Sequence, residues 1–132
     1  MIQVVDNGEC FVCGQSNRIG LRAVFEVDPE KGTSRSRLTI PADFQGWQEV
    51  VHGGVIAALL DEAGIYACRT RGDRFVTAEI SVKYRKPVSV GWEISVGARL
   101  VDRTKRIFHV KSWIEREGQV LAEADSKIFF IE

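Results

Sequence analysis

The residues best suited to chemistry are two adjacent carboxylates, Asp61 and Glu62, in the middle of the otherwise uncharged segment 55–68. Ala and Leu dominate this segment, and its side chains show no two-residue alternation, so it is predicted to be an α-helix. A helix that is apolar on nearly every side must be buried on most of them. We therefore expect an acid inside the protein, where loss of water raises the pKa of a carboxyl and suits it to act as general base or nucleophile.

A purely structural role is the alternative for either acid. A buried carboxylate that does no chemistry needs a buried Arg or a loop to cap, because an unpaired charge in the interior is strongly unfavourable. Successive residues of a helix point about 100° apart. Asp61 and Glu62 are therefore not expected to face the same site.

The turn that opens this helix is His52-Gly53-Gly54. The first backbone N–H groups of a helix have no intrahelical partner, and the glycines allow another group to approach them closely. Free donors at the positive end of a helix suit an anion, or an oxygen that becomes anionic in a transition state. By itself the Gly-Gly pair is equally consistent with a plain tight turn.

The elements around the helix are predicted to be strands, over residues 21–28, 34–40, 74–87, 92–101, 107–117 and 120–131. Within 74–87, apolar Val76, Ala78 and Ile80 alternate with polar residues, which indicates one buried and one exposed face. The last four strands, joined by short turns such as 102–105, predict an antiparallel meander. The predicted fold class is α+β, with a long antiparallel sheet wrapped around one central helix.

Composition limits the other function classes. The 132 residues predict a single domain, 1–132, with a loop-rich leader at 1–20. Lys+Arg and Asp+Glu both number 18, so the net charge is zero and neither a nucleic-acid partner nor a membrane partner is expected. The helix is short and charged for a bilayer span, and the N-terminus lacks the pattern of a secretory signal. With three cysteines, these features predict a cytoplasmic protein.

Three stretches of the sequence resemble a known family. They are residues 51–63, which hold the His-Gly-Gly turn and Asp61; residues 77–87, followed by Gly91; and the leader motif Cys10-Phe11-Val12-Cys13-Gly14 with Asn17 and Gly20. Together they resemble the hotdog-fold acyl-CoA thioesterases, most closely the PaaI-like branch of the phenylacetic acid pathway. The resemblance covers roughly residues 10–130. It implies a homodimer, often paired into a homotetramer, with active sites between subunits.

The resemblance also implies roles for individual residues. Asp61 takes the place of the catalytic carboxylate, and Gly54 offers a backbone N–H to the thioester carbonyl. Thr77 matches a Ser or Thr that holds the hydrolytic water, and His52 shapes the oxyanion turn. Related enzymes often carry an Asn or Gln shortly before the His-Gly-Gly turn, and here the residues able to replace it are Gln45, Gln48 and Glu49. The predicted substrate-binding residues are Gly53, Gln48, Glu62, Arg85 and Lys86.

The cysteines and the tryptophans add two weaker expectations. Cys10 and Cys13 supply half of a zinc site, but no second close pair of Cys or His follows, so no metal and no other cofactor are predicted. Trp92 and Trp113 lie on strands whose outer faces would otherwise meet solvent. They are consistent either with a partner subunit or with the core of a single chain.

The predicted function is hydrolysis of a small or medium acyl- or aryl-CoA thioester. A hotdog hydratase or dehydratase is a weaker alternative, because those enzymes pair the Asp with a His a few residues later, and no His follows Asp61 until His109. A non-catalytic acyl-CoA-binding module is the other alternative. Such a module would keep the Gly-Gly turn but would have no need of a buried acid.

Overall fold

The computed structural model describes residues 3–132, and within that range it contains one α-helix and a single six-stranded sheet. Met1 and Ile2, the first residues of the predicted leader, lie outside the described residues. The helix α1 spans Gly53–Cys68. The strands are β1 (Glu26–Asp28), β2 (Thr33–Thr39), β3 (Phe75–Tyr84), β4 (Glu93–Thr104), β5 (Ile107–Arg116) and β6 (Gln119–Phe130).

The helix α1 lies at the centre of the molecule, as predicted. Its 16 residues give a rod of about 24 Å at the usual rise per residue. Leu59, Leu60 and Ala63 have no exposed surface, and the helix contacts every strand from β2 to β6. The predicted architecture, a long antiparallel sheet packed around one helix, is confirmed. No helix within residues 3–132 is both long and apolar enough to span a bilayer.

The predicted meander of the last four strands is wrong for β3. The strand order is β1-β2-β4-β5-β6-β3, so β3 pairs with β6 at one edge of the sheet and β4 pairs with β2. The cause is the connection after β3. The Val51 N–H donates to the Val88 carbonyl at 2.8 Å, and Val50 bridges Ser89. These bonds hold the connection against the loop that precedes α1, so the chain enters β4 beside β2.

Two predicted boundaries also need correction. Only Glu26–Asp28 of the predicted strand 21–28 is a strand of the sheet. The backbone before it pairs with the leader instead, since the Leu21 N–H donates to the Phe11 carbonyl and the Ala23 N–H to the Val12 carbonyl. The connection predicted at 102–105 is largely strand, because β4 continues to Thr104 and the chain turns at Lys105, whose φ is 57°.

The two tryptophans considered as interface residues are half-buried within the chain. The Arg116 guanidinium lies over the Trp92 ring, 4.1 Å from its centroid. Trp113 lies over Gly97, where a Cβ would be 3.0 Å from the indole. Neither side chain therefore requires a partner subunit to cover it. The exposed tryptophan is Trp47, at 86% of its full surface, in the loop that leads to α1.

Candidate active site

A bulge in β3 decides which of its side chains face the helix. Thr77 pairs with Ile128 and Glu79 pairs with Lys127, so Ala78 has no partner on β6. An extra residue of this kind moves the following side chains to the opposite face. Phe75 and Thr77 therefore share the inner face with Ile80 and Val82, while Val76 is 41% exposed. The uninterrupted alternation predicted from the sequence is wrong here, and Thr77 lies on the inner side.

Thr77 meets Asp61 across the space between β3 and α1. The Thr77 hydroxyl donates to Asp61 Oδ1 at 2.5 Å. Asp61 forms none of the ion pairs found within residues 3–132. Burial raises the pKa of the Asp61 carboxyl; the Thr77 hydrogen bond opposes this rise, and the nearby charge of Glu62 adds to it. The pair is a half-buried carboxylate held by a hydroxyl, and no cation among residues 3–132 forms an ion pair with it.

Glu62 faces away from this pair, toward the leader. The Cys10 thiol donates to Glu62 Oε2 at 2.8 Å. Cys13 lies in the same cluster, and burial together with the Glu62 carboxylate raises the pKa of its thiol to about 12. Glu62 was predicted to bind substrate. Its position beside two cysteines was not apparent from the sequence, because 52 residues separate Cys10 from Glu62.

The helix start provides backbone donors. His52 is the N-cap of α1, and its Nδ1 accepts from the Gly54 N–H at 2.8 Å. The Gly54 N–H, predicted to meet the thioester carbonyl, is thus engaged in the capping bond. Within residues 3–132 no group accepts from the Gly53 N–H. The Gly53 carbonyl accepts from the Tyr84 hydroxyl at 2.7 Å, which ties the end of β3 to the helix start.

A cleft of about 400 Å³ opens beside this helix start. Gly53, Trp47 and Tyr84 form part of its wall, and the predicted substrate-binding residues Arg85 and Lys86 lie at its edge. The backbone N–H groups of Arg85 and Lys86 both donate to the Leu121 carbonyl, so the backbone that carries the two cations is fixed. The cleft therefore combines apolar walls, basic side chains and the positive end of a helix.

The three residues of the loop before the helix that were considered as replacements for Asn or Gln differ in their contacts. Gln45 Oε1 accepts from the Glu49 N–H at 2.8 Å, so the Gln45 amide closes its own loop. Glu49 occupies the left-handed region at φ 64° and is exposed. The Gln48 side chain is also exposed, and no residue within 3–132 holds it in a hydrogen bond. Among residues 3–132, neither the Gln48 side chain nor the Glu49 carboxylate has a hydrogen-bond partner, so both remain able to contact a ligand.

The donors and the acid do not converge within one chain. Asp61 follows Gly54 by seven residues of the same helix, which corresponds to about 10 Å along its axis. A thioester carbon within reach of Asp61 would therefore be too far from the donors at the start of the same helix. The family resemblance implied active sites between subunits, and this separation is consistent with that expectation.

Three solved structures share this fold. A thioesterase superfamily protein is 25% identical, with a TM-score of 0.86 over 98% of this chain and 68% of its own. The PaaI protein of the E. coli phenylacetic acid degradation operon is 21% identical, with a TM-score of 0.77 over 85% of this chain and 81% of its own. A Streptococcus mutans protein bound to acetyl CoA is 22% identical, with a TM-score of 0.74 over 87% of this chain and 94% of its own.

The sequence comparisons agree with the structural ones. A curated protein of Saccharolobus solfataricus is 34% identical to this chain over 80 residues. Its name describes it as an inferred esterase. That match includes 59% of this chain, and the chain spans only 53% of the length of that relative. The profile of the Thioesterase superfamily matches residues 48–123, which include the helix, the bulged strand and all of the cleft lining except Trp47. The chain belongs to the thioesterase superfamily, with the hotdog fold and the PaaI-like resemblance predicted from its sequence.

Proposed function

We propose that the protein hydrolyses the thioester of a small or medium acyl- or aryl-coenzyme A. The observation that carries this proposal is the Asp61–Thr77 pair, a half-buried carboxylate without a cationic partner in residues 3–132. A carboxylate partly removed from water is a better base than a solvated one. Asp61 acts on the thioester either by taking a proton from water or by attacking the carbonyl.

Thr77 has two uses in this mechanism. Its hydroxyl fixes Asp61 through the bond to Oδ1, so the other carboxylate oxygen stays available for water or for the thioester. A hydroxyl oxygen also accepts hydrogen bonds, so Thr77 can hold the attacking water on the same side. Pre-orientation of this kind lowers the barrier by keeping the reacting groups in place.

The helix start receives the thioester oxygen. Charge that develops on this oxygen is stabilised by backbone N–H groups at the positive end of α1. The Gly53 N–H needs no rearrangement to donate, whereas the Gly54 N–H must exchange His52 Nδ1 for the substrate. His52 thus shapes the turn that presents both groups.

The cleft beside the helix start suits coenzyme A. The phosphates of this ligand are anionic, and two cations line the cleft: Lys86, and Arg85, whose guanidinium also pairs with Glu123 at 3.0 Å. The Trp47 ring, 86% exposed, is available to cover the ligand. The S. mutans protein of the same fold bound acetyl CoA. Gln48, exposed on the adjoining loop, is proposed to contact the same ligand.

Two chains are needed to complete this site, as a homodimer or a pair of homodimers. One chain places its helix start and its Asp61 about 10 Å apart along α1. Strand β3, which carries Thr77, lies at the sheet edge and pairs only with β6, so ten residues of backbone are open to another strand on one side. A second copy paired there would bring its helix start toward Asp61.

The direct test is turnover of a panel of acyl-CoA thioesters, from acetyl to medium-chain and phenylacetyl, followed as release of free coenzyme A. We expect hydrolysis of part of the panel by the wild-type protein and loss of this activity in Asp61→Asn. Glu26→Gln, which removes an exposed acid on β1, serves as a matched control. Tight binding of acyl-CoA without turnover would favour the binding-module alternative.

A further inference from the structure

We infer that Cys10, Cys13 and Glu62 form a zinc-binding site that fastens the leader to the central helix. The Sγ atoms of the two cysteines and a carboxylate oxygen of Glu62 lie within 4.8 Å of one another. All three residues are half-buried, and none takes part in the proposed hydrolysis. The inference is therefore independent of the proposed function.

The donor set suits zinc. Thiolate sulfur and carboxylate oxygen are both common zinc ligands, and a tetrahedral ion holds such atoms roughly 3.5 to 3.8 Å apart. The three atoms lie within 4.8 Å of one another, and Cys10 Sγ, at 2.8 Å from Glu62 Oε2, is closer to the carboxylate than two ligands of one ion would be. A small outward movement of the Glu62 side chain would admit the ion. Binding would release the two thiol protons to solvent, and zinc would stay in the divalent state throughout.

The backbone around the cysteines is already shaped for a metal. The Gly14 N–H donates to the Cys10 carbonyl at 2.8 Å, and the Val12 N–H points at Cys10 Sγ at 3.4 Å. A Cβ on Gly14 would lie 2.4 Å from the Cys10 nitrogen, so only glycine permits this turn. This N–H group would donate a hydrogen bond to the metal-bound sulfur of Cys10, as the groups that surround metal ligands generally do.

A fourth ligand can reach the site from solvent. A cavity of about 490 Å³ is lined by Cys10, Cys13 and Glu62 and opens to the surface. Water can therefore complete a tetrahedral set. Tyr66 lies near enough to influence the pKa of the Cys13 thiol, and the Arg69 guanidinium lies over the Tyr66 ring, 4.9 Å from its centroid. With two thiolates and a carboxylate, the centre would carry one net negative charge; Arg69, which also pairs with Asp6, lines the same cavity.

The test is metal binding by the whole chain. The reduced protein, freed of metal, is titrated with Co²⁺, because cobalt in a thiolate site gives a sulfur-to-metal charge-transfer absorption. We expect saturation at one Co²⁺ per chain and displacement by Zn²⁺. Zinc should also protect Cys10 and Cys13 from iodoacetamide, as read by peptide mass spectrometry. The protection measurement uses the wild-type protein, so it tests the site even if a cysteine variant fails to fold.

The variants assign the ligands. Cys10→Ser and Cys13→Ser should abolish the charge-transfer band, and Glu62→Gln should weaken Co²⁺ binding at least 10-fold. Cys68→Ala, which removes the buried thiol outside the cluster, and Glu9→Gln, which removes an exposed neighbouring acid, should bind as the wild type does. The inference is overturned if the reduced wild-type protein shows no charge-transfer band. A Cys10–Cys13 disulfide that persists in place of the metal under reducing conditions would also overturn it.

Discussion

At the scale of single residues, Asp61 and Glu62 are neighbours in sequence but contact different parts of the molecule. Asp61 accepts from Thr77 on β3, whereas Glu62 accepts from Cys10 in the leader. The angle of about 100° between successive helical residues accounts for this separation. The sequence alone therefore predicted that the two acids differ in role, but it did not identify their partners.

Asp61→Asn is expected to lower kcat by at least about 100-fold, because the amide cannot act as a base or nucleophile. The stability of the fold should remain unchanged or increase. The pKa of Asp61 is raised in the folded chain, so the folded state binds the proton more tightly than the unfolded one, and ionisation at neutral pH is unfavourable to folding. Asparagine keeps the acceptor for Thr77 without this charge. Steady-state kinetics and urea unfolding measure the two effects.

A loss of about 3 kcal/mol or more in Asp61→Asn would instead identify Asp61 as a structural ion-pair partner. Full activity would remove it from the mechanism. Glu26→Gln controls for removal of an acid outside the site, on β1.

Thr77→Val should lower kcat about 10-fold and leave KM nearly unchanged, since it removes one hydrogen bond to the charged carboxylate and keeps the side-chain shape. That bond lowers the pKa of Asp61, so its loss should raise this pKa further and move the acidic limb of the rate profile to higher pH. Thr77→Ser should restore both rate and profile. An unchanged profile in Thr77→Val would show that Thr77 does not act through Asp61.

Thr77 also shows where sequence reasoning stops. The regular alternation of 76–84 placed threonine on the polar outer face, while the family resemblance placed it in the site. The structure resolves this conflict through the bulge at Ala78, which moves Thr77 to the inner face. A bulge depends on the register of two paired strands, and the sequence of one strand does not contain that information.

At the scale of elements, the helix and the succession of β4, β5 and β6 could be predicted, but the place of β3 in the sheet could not. The length of α1 and its composition, apolar apart from Asp61 and Glu62, indicated a buried helix. Strand β3 was expected beside β4. Val88, in the connection between them, instead accepts a hydrogen bond from Val51 before α1, and β4 pairs with β2. Bonds between segments almost 40 residues apart decide this order. The contact between Cys10 of the leader and Glu62 could not be predicted either, because 52 residues separate them in the sequence.

The start of α1 offers a paired test of the oxyanion donors. Gly53 is the first helical residue, where proline is favoured, and His52 before it has φ −58° and ψ 134°, which a following proline accepts. Gly53→Pro should therefore fold normally, lose the free N–H and reduce kcat by about 100-fold or more. Gly54→Pro should abolish turnover as well, but it also removes the capping hydrogen bond that the Gly54 N–H donates to His52 Nδ1.

Circular dichroism and urea unfolding show whether each proline variant keeps the helix. His52→Ala removes the cap alone and is expected to cost about 1 kcal/mol of stability. Near-normal turnover in both proline variants would exclude the helix start as the oxyanion site. Loss in Gly54→Pro only would assign the Gly54 N–H, with His52 as a partner that the substrate displaces.

At the scale of the whole molecule, the proposed site divides between two chains. Asp61 and Gly53 lie on one helix but about 12 Å apart along it, too far for one thioester to reach both. The tryptophans do not demand a partner, since Arg116 and Gly97 cover them. The argument for assembly therefore rests on this separation and on the open edge of β3. We expect light scattering to give a multiple of 14.8 kDa.

Mixing two inactive variants tests this division directly. Asp61→Asn lacks the acid and Gly53→Pro lacks a donor, so a homodimer of either has two defective sites. In a hybrid dimer with sites shared across a two-fold axis, one site carries both substitutions and the other carries neither. Random exchange of subunits should thus restore about a quarter of wild-type activity. If each chain supplied its own complete site, the mixture would stay as inactive as its components, and the shared-site proposal would be lost even with the dimer intact.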